Sequence, residues 1–203
     1  MENTTEKREL VQEEKKSGLT IADLLLTAIL LAAGAVLKFF VGSFINIGGM
    51  KPNFIIAMYC MIIVLIRPNI IYAAIIGLLA GAICQFFPGT VGLNFVSELA
   101  GAFCMGLLIN IPAKNRPVEL VLAAVSTFLS TIVSGGLFTV LLFVFIKSDP
   151  SAMAAYVPIV LGTATLNAII VALLYVPLMK ATKRPFICDK YATAETAEEV
   201  VEK

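Results

Sequence analysis

The sequence predicts an all-α membrane protein: a bundle of six transmembrane helices with both termini in the cytosol. Three observations predict it. Hydrophobic residues fill 59% of 203 positions against 14% charged, with a mean hydropathy of +0.94. That is more apolar side chain than one soluble core of this length can cover, and the remainder would form large patches facing water. The apolar residues are also gathered into runs that approach or exceed the roughly 20 residues needed to cross a bilayer. Finally, short breaks with turn chemistry separate the runs.

The elements follow in chain order. Residues 1–19 form a polar tail of mixed charge (Glu2, Glu6, Lys7, Arg8, Glu9, Glu13, Glu14, Lys15 and Lys16). It is expected to be cytosolic and not a cleaved signal, because the apolar run after it is long enough to stay as an anchor. The six-helix domain covers 20–180, with spans expected at Ile21 to Val41, Asn53 to Ile66, Ile70 to Phe87, Gly92 to Ile111, Val118 to Ile146 and Ala154 to Met179. The breaks are Gly48-Gly49, Arg67-Pro68-Asn69, Pro88-Gly89, Pro112 to Pro117 and Ser148-Asp149-Pro150. The second span is short for a full crossing, and the fifth is long enough to tilt or to bend at Gly135-Gly136. Residues 181–203 are expected as a second cytosolic tail, with Ala192 to Lys203 solvated.

Basic residues set the orientation, since they concentrate on the cytosolic side. With the N-terminus inside, Lys7, Arg8, Lys15, Lys16, Arg67, Lys114, Arg116, Lys180, Lys183, Arg184, Lys190 and Lys203 are cytosolic, twelve of fifteen Lys and Arg. Only Lys38, Lys51 and Lys147 fall outside. Both termini are then cytosolic, which requires an even number of spans.

The composition also excludes function classes. A net charge of +1 and no basic cluster interleaved with aromatics argue against a nucleic-acid partner. There is no histidine, hence no Ser-His or Cys-His nucleophile system and no histidine metal ligand. The four cysteines have no short spacing and read as small buried hydrophobes, not as a disulfide framework or metal site. No Walker A pattern occurs. No metal, cofactor or enzymatic reaction is expected.

The polar residues within the spans are placed unevenly. Lys38, Lys51, Asn53, Gln85, Asn94, Glu98, Thr163 and Asn167 all fall toward the outer ends of their helices, at one depth. Glu98 is the most informative. It lies roughly 9 Å below Gly92 at about 1.5 Å per residue, where an acid costs on the order of 2.5 kcal/mol or more without a partner or water. Asn94 shares its helical face, four residues earlier. A carboxylate there can grip a ligand amine, or it can pair with Lys38 or Lys51 and only lock helices together. The inner half offers less, since Asn110 and Glu119 are expected at helix ends in reach of water.

Gly48-Gly49-Met50-Lys51-Pro52-Asn53-Phe54 reads either as a loop over a pocket, with Lys51 meeting an anionic group, or as an ordinary outer loop with a snorkelling lysine. Small residues recur at spacings that let helices approach closely: Ala28 and Ala32, Gly77 and Gly81, and the stripe Ser126, Ser130 and Ser134 with Thr127 and Thr131. These suit internal packing or a docking face for another membrane subunit. Phe39, Phe40, Phe86 and Phe87 gather at outer helix ends, as walls for an aromatic ligand or as interfacial rings.

A chain of this length with six helices, cytosolic ends and no ATPase motif resembles the substrate-binding S component of energy-coupling factor (ECF) transporters. In that group an alanine-x-x-x-alanine motif on the first helix contacts the transmembrane coupling subunit; Ala28 and Ala32 match it. More narrowly, Gly49-Met50-Lys51-Pro52-Asn53-Phe54 resembles the Gly-Met-Lys-Pro-Asp stretch of TrpP-type tryptophan transport proteins. Phe87-Pro88-Gly89 through Asn94 and Glu98 resembles their Phe-Pro-Gly turn with its following Asn and acid. Asn53 replaces an Asp, and the acid lies further from the Asn than in the family pattern. The resemblance implies an ECF-like fold in a bacterial inner membrane. It also implies a coupling subunit and ATPase subunits as partners, and tryptophan or a related aromatic compound or vitamin as ligand. Lys51, Asn53, Gln85, Asn94, Glu98, Thr163 and Asn167 are the expected ligand contacts. The competing readings are a solitary ion-coupled transporter and an accessory subunit without a ligand.

Overall fold

The structure is a computed structural model, and it describes residues 18–44, 51–87, 92–146, 153–186 and 188–189, without the side chains of residues 42, 43 and 146. The polar N-terminal tail to residue 17, Gly48-Gly49-Met50, Pro88-Gly89, Lys147 to Pro150 and the tail from Ala192 lie outside the described residues.

Every described element is helical. They are α1 (Ile21–Phe44), α2 (Ile55–Ile66), α3 (Ile70–Cys84), α4 (Leu93–Leu108), α5 (Arg116–Ile146) and α6 (Val157–Ala181), the last entered through a 3-10 turn at Ala154–Tyr156. Local chemistry sets the starts. Thr20 and Asp23 cap α1 reciprocally: the Asp23 carboxylate accepts from Thr20 N at 2.9 Å, and the Thr20 hydroxyl accepts from Asp23 N at 3.2 Å. Asn69 caps α3 by accepting from Tyr72 N at 3.0 Å, and Asn115 caps α5 by accepting from Val118 N at 3.0 Å. Gly92 begins α4 from φ +89, a conformation that suits glycine.

Three stretches are long and apolar enough to cross a membrane: Ile21–Val41, Arg116–Phe145 and Ala154–Ala181. The other three are apolar but shorter. α2, with 12 residues, is about 18 Å long at 1.5 Å per residue, well under a hydrocarbon core of roughly 30 Å.

α2 is the centre of the bundle. Ile55 through Leu65 are all buried, with no exposed stripe, because α1, α3, α4, α5 and α6 all pack against it. The outer helices instead turn large apolar side chains outward, among them Leu25, Val36, Leu107, Val121 and Leu173. A helix apolar all round is what a buried position demands, and these outward faces suit lipid. α3, α4, α5 and α6 lie side by side in chain order, while α1 rests mainly on α2. Gly34 permits that contact, since a Cβ there would lie 3.1 Å from the Ile55 backbone.

At the end of the bundle holding Arg67, the chain beyond α6 stays on the body. Arg184 pairs with Asp23 of α1 and donates to the Leu65 carbonyl of α2 at 3.3 Å. Phe186 is buried against the Tyr175 ring, and Arg116 lies over the Phe186 ring and pairs with Asp189 at 3.2 Å. Glu119, expected in reach of water, is fully buried. It accepts from the Tyr175 hydroxyl at 2.6 Å, from Arg67 at 3.5 Å and from Cys188 N at 3.4 Å. Its position in the first turn of α5 suggested exposure, but the returning segment covers it and supplies donors in place of water.

Candidate ligand-binding site

At the other end of the bundle, the start of α2 meets α4, α5 and α6, and there the polar side chains converge. Glu98 is buried, with 1% of its surface exposed. Its Oε1 accepts from Asn53 Nδ2 at 2.5 Å and its Oε2 from the Ser134 hydroxyl at 2.9 Å. Asn167, also buried, donates from Nδ2 to the Asn53 carbonyl at 3.2 Å and to the Thr131 hydroxyl at 3.4 Å. Ser134 and Thr131 are three residues apart on α5, so the polar chain Ser134–Glu98–Asn53–Asn167–Thr131 starts and ends on one helix face. Four parts of the fold thus meet in a single hydrogen-bonded chain, which the α5 backbone closes into a ring.

The α3–α4 contact fixes the position of Glu98. A Cβ on Gly77 would sit 2.6 Å from the Glu98 carbonyl, and one on Gly81 2.9 Å from the Asn94 carbonyl. The two glycines therefore let the backbones touch along the face that bears Asn94 and Glu98. Behind it, Ser130 donates to the Gly101 carbonyl at 2.8 Å and ties α5 to α4. The Ser126, Ser130, Ser134, Thr127 and Thr131 stripe is wholly buried, so it packs helices inside the chain and is not a face for another subunit.

Lys38 reaches the cluster through Cys84, which also accepts from Asn53, yet among the described residues it forms no ion pair with Glu98. Its ammonium donates to Cys84 Sγ at 3.3 Å and lies 5.1 Å from the Phe87 ring centre. Lys51 is exposed, just ahead of the buried Pro52. Neither of the ion pairs expected for Glu98 forms, and neutral donors surround the acid.

Other expected contacts stand differently. Asn94 is half-buried, one turn from Glu98 toward the start of α4. Gln85 closes the α3–α4 connection: its Oε1 accepts from Gly92 N at 3.1 Å and its Nε2 donates to the Gly81 carbonyl at 3.2 Å. Thr163 is buried, and its hydroxyl donates back to the Ile159 carbonyl at 2.8 Å. Phe39, Phe40 and Phe86 are exposed, and Phe87 alone of the four aromatics adjoins the cluster through Lys38. Ala28 and Ala32 lie on the exposed face of α1, opposite the buried Leu30, Leu31 and Gly34.

Sequence reasoning missed three participants. Ser134 and Thr131 were legible as packing or docking residues, not as partners of Glu98 and Asn167. Tyr59 is fully buried in α2, its hydroxyl among Glu98, Ser130 and Ser134 and against Gly101. The signal for Tyr59 was a polar atom in mid-helix of a run otherwise free of charged, amide or alcohol groups.

A profile of the family described as "Tryptophan transporter TrpP" matches residues 20–183, which takes in every helix and all the residues of the ring. The chain belongs to the TrpP family. Two curated relatives agree with this. A "Probable tryptophan transport protein" of Clostridium acetobutylicum is 26% identical over 171 residues, 83% of this chain and 98% of the relative. A protein of the same description from Bacillus subtilis is 29% identical over 165 residues, 80% of this chain and 92% of the relative. No solved structure matches the chain significantly. The ring formed by Glu98, Asn53 and Asn167 is therefore a feature of a TrpP-family transport protein of apolar helices.

Proposed function

We propose that the chain is the substrate-binding S component of an ECF-type importer, and that it captures tryptophan or a closely related aromatic nutrient in a bacterial inner membrane. In this reading six helices cross the bilayer with both termini cytosolic, and the Asn53 end of the bundle faces outward. Ligand enters beneath the segment ahead of α2. Lys51, exposed at that mouth, meets the anionic group; Glu98 and Asn94 meet a donor group; and Asn53 and Asn167 complete the polar lining. Gln85 and Thr163 support the walls through their bonds within the fold. Ala28 and Ala32, turned outward on α1, meet the coupling subunit, whose ATPase partners drive release.

The observation that carries this reading is the buried acid held by neutral donors in an apolar bundle. An intramembrane ionisable group is costly and marks function by default, and the family is one of tryptophan transporters. The test is direct. The chain contains no tryptophan, so indole fluorescence excited beyond the tyrosine band reports ligand alone. Purified full-length protein should bind tryptophan saturably and reject unrelated amino acids and vitamins. Proteoliposomes holding only this chain should not accumulate tryptophan, with or without an ion gradient. Gradient-driven uptake by the chain alone would favour a solitary transporter, and no saturable ligand would favour an accessory subunit.

A further inference from the structure

The ring at the start of α2 has more acceptors than donors. A carboxylate offers about four lone-pair sites; Glu98 is engaged by Asn53 Nδ2 and Ser134 Oγ, and the Tyr59 hydroxyl beside it can supply one donor more, which still leaves an acceptor over. Among the described residues, two buried side-chain polar atoms make no hydrogen bond, Tyr59 Oη and Asn167 Oδ1. Tyr59 is wedged between Gly101 and the serines of α5, a packed position. Asn167 Oδ1 is different, because the rest of its amide is fixed. Its Nδ2 is committed to the Asn53 carbonyl and to Thr131, so the carbonyl oxygen remains beside the first residues of α2 as an unused acceptor. An orphaned buried amide oxygen is costly, and a fold retains such an atom most readily where a ligand satisfies it. The nearby cation does not do so: Asn167 Oδ1 has no partner, and the bond that Lys38 makes is to Cys84 Sγ.

From this surplus we infer that the site recognises its ligand chiefly by an ammonium group, with Glu98 and Asn167 Oδ1 as the two acceptors that receive its N–H bonds. The inference rests on the proposed ligand-binding role and deepens it by ranking the ligand's two charged ends. The ammonium is held deep and desolvated. The carboxylate lies toward exposed Lys51, where screening makes it worth much less. The Asn53 amide donating to Glu98 at 2.5 Å shows the kind of group that this oxygen accepts. Asn167 is thereby a specificity-determining residue, and its single unused oxygen is the part that matters.

Three indole ligands decide the matter on the unaltered full-length protein in detergent or nanodiscs: tryptophan, tryptamine, which lacks the carboxylate, and indole-3-propionate, which lacks the ammonium. Tryptamine should bind within about 10-fold of tryptophan, whereas indole-3-propionate should be weaker by about 100-fold or more, because its entry leaves buried acceptors unpaired. Asn167→Leu should weaken tryptophan and tryptamine by a similar factor, on the order of 10-fold or more, and change indole-3-propionate little. If tryptophan binds while indole-3-propionate outranks tryptamine, the lysines read the carboxylate and the inference is overturned with the transport reading intact. If none of the three binds, the ligand-binding role itself fails and the inference falls with it. The ligand series needs no variant, so the result stands even if Asn167→Leu folds poorly.

Discussion

Glu98 and Glu119 are both buried acids, and they divide the molecule's chemistry between its two ends. Glu119 has an arginine, a tyrosine hydroxyl and a backbone N–H around it, whereas Glu98 has an amide, a serine and a lysine held off by a thiol. The first arrangement is structural. Removing one partner of a buried ion pair costs about 3–5 kcal/mol, so Glu119→Ala should lower the thermal midpoint in detergent severely. Tyr175→Phe, losing one bond to a charged acceptor, should cost about 1.5–3 kcal/mol. Tryptophan affinity, measured well below each variant's midpoint, should stay unchanged in both. Glu98→Gln should show the reverse: a large loss of tryptophan affinity with a small change in midpoint, since Asn53 can still donate to the amide oxygen while the Ser134 hydroxyl turns to accept from the amide NH2. Equal losses of both would assign Glu98 to packing. Sequence distinguished these acids only in part. Depth along a helix exposed Glu98, because counting turns from Gly92 needs no tertiary knowledge. Glu119 was misjudged because its cover, Cys188 and Phe186, comes from a segment nearly 70 positions away whose return no local pattern encodes.

At the scale of elements, the six apolar runs and their breaks were legible because lipid demands long apolar stretches and each turn carries Pro, Gly or Asn. The observed helices begin and end within a few residues of the expected spans. The central place of α2 was not legible. Its run looks like any other short apolar segment, and only the packing of five helices around it shows why no face of it is polar. Gly77 and Gly81 showed in advance that α3 lets a neighbour come close but not that the neighbour is α4, and the contact gives a prediction at this scale. Gly81→Val would push the α4 backbone away at Asn94 and Phe95, where a Cβ would already lie 2.9 Å off. Overpacking of this kind costs about 1–3 kcal/mol. Because the same contact sets the height of Asn94 and Glu98, Gly81→Val should lower the thermal midpoint and tryptophan affinity together, unlike Glu98→Gln. Gly136, where a Cβ would meet nothing within 4 Å, is the control: Gly136→Ala should leave both unchanged.

The whole molecule presents two unlike ends and one distinctive flank. The Arg67 end is stitched across α1, α2, the end of α4, α5 and the segment after α6 by Arg67, Arg116 and Arg184, whereas the Asn53 end holds the polar ring. The flank is α1, which rests on α2 through Thr27, Leu30, Leu31 and Gly34 and shows Ala28, Ala32 and their neighbours to the surroundings. Small residues facing outward gain nothing from lipid, which contacts leucine as well as alanine; they matter where another helix must come close. Under the proposed importer, Ala28→Leu combined with Ala32→Leu should abolish energised tryptophan uptake in cells while leaving purified protein with unchanged affinity and thermal midpoint. The substitutions fill no internal space, so a loss of stability would place Ala28 and Ala32 inside the fold. Full uptake by the double variant would remove the docking role from α1. Replacing Arg184 with Gln separates the flank from its anchor: it frees the start of α1 from the ion pair with Asp23 and should reduce uptake without touching the ring, which lies at the opposite end of the bundle. Uptake that falls with affinity preserved in both variants would show that capture and coupling reside on separate parts of one bundle, the ring around Glu98 for the first and the outward face of α1 for the second.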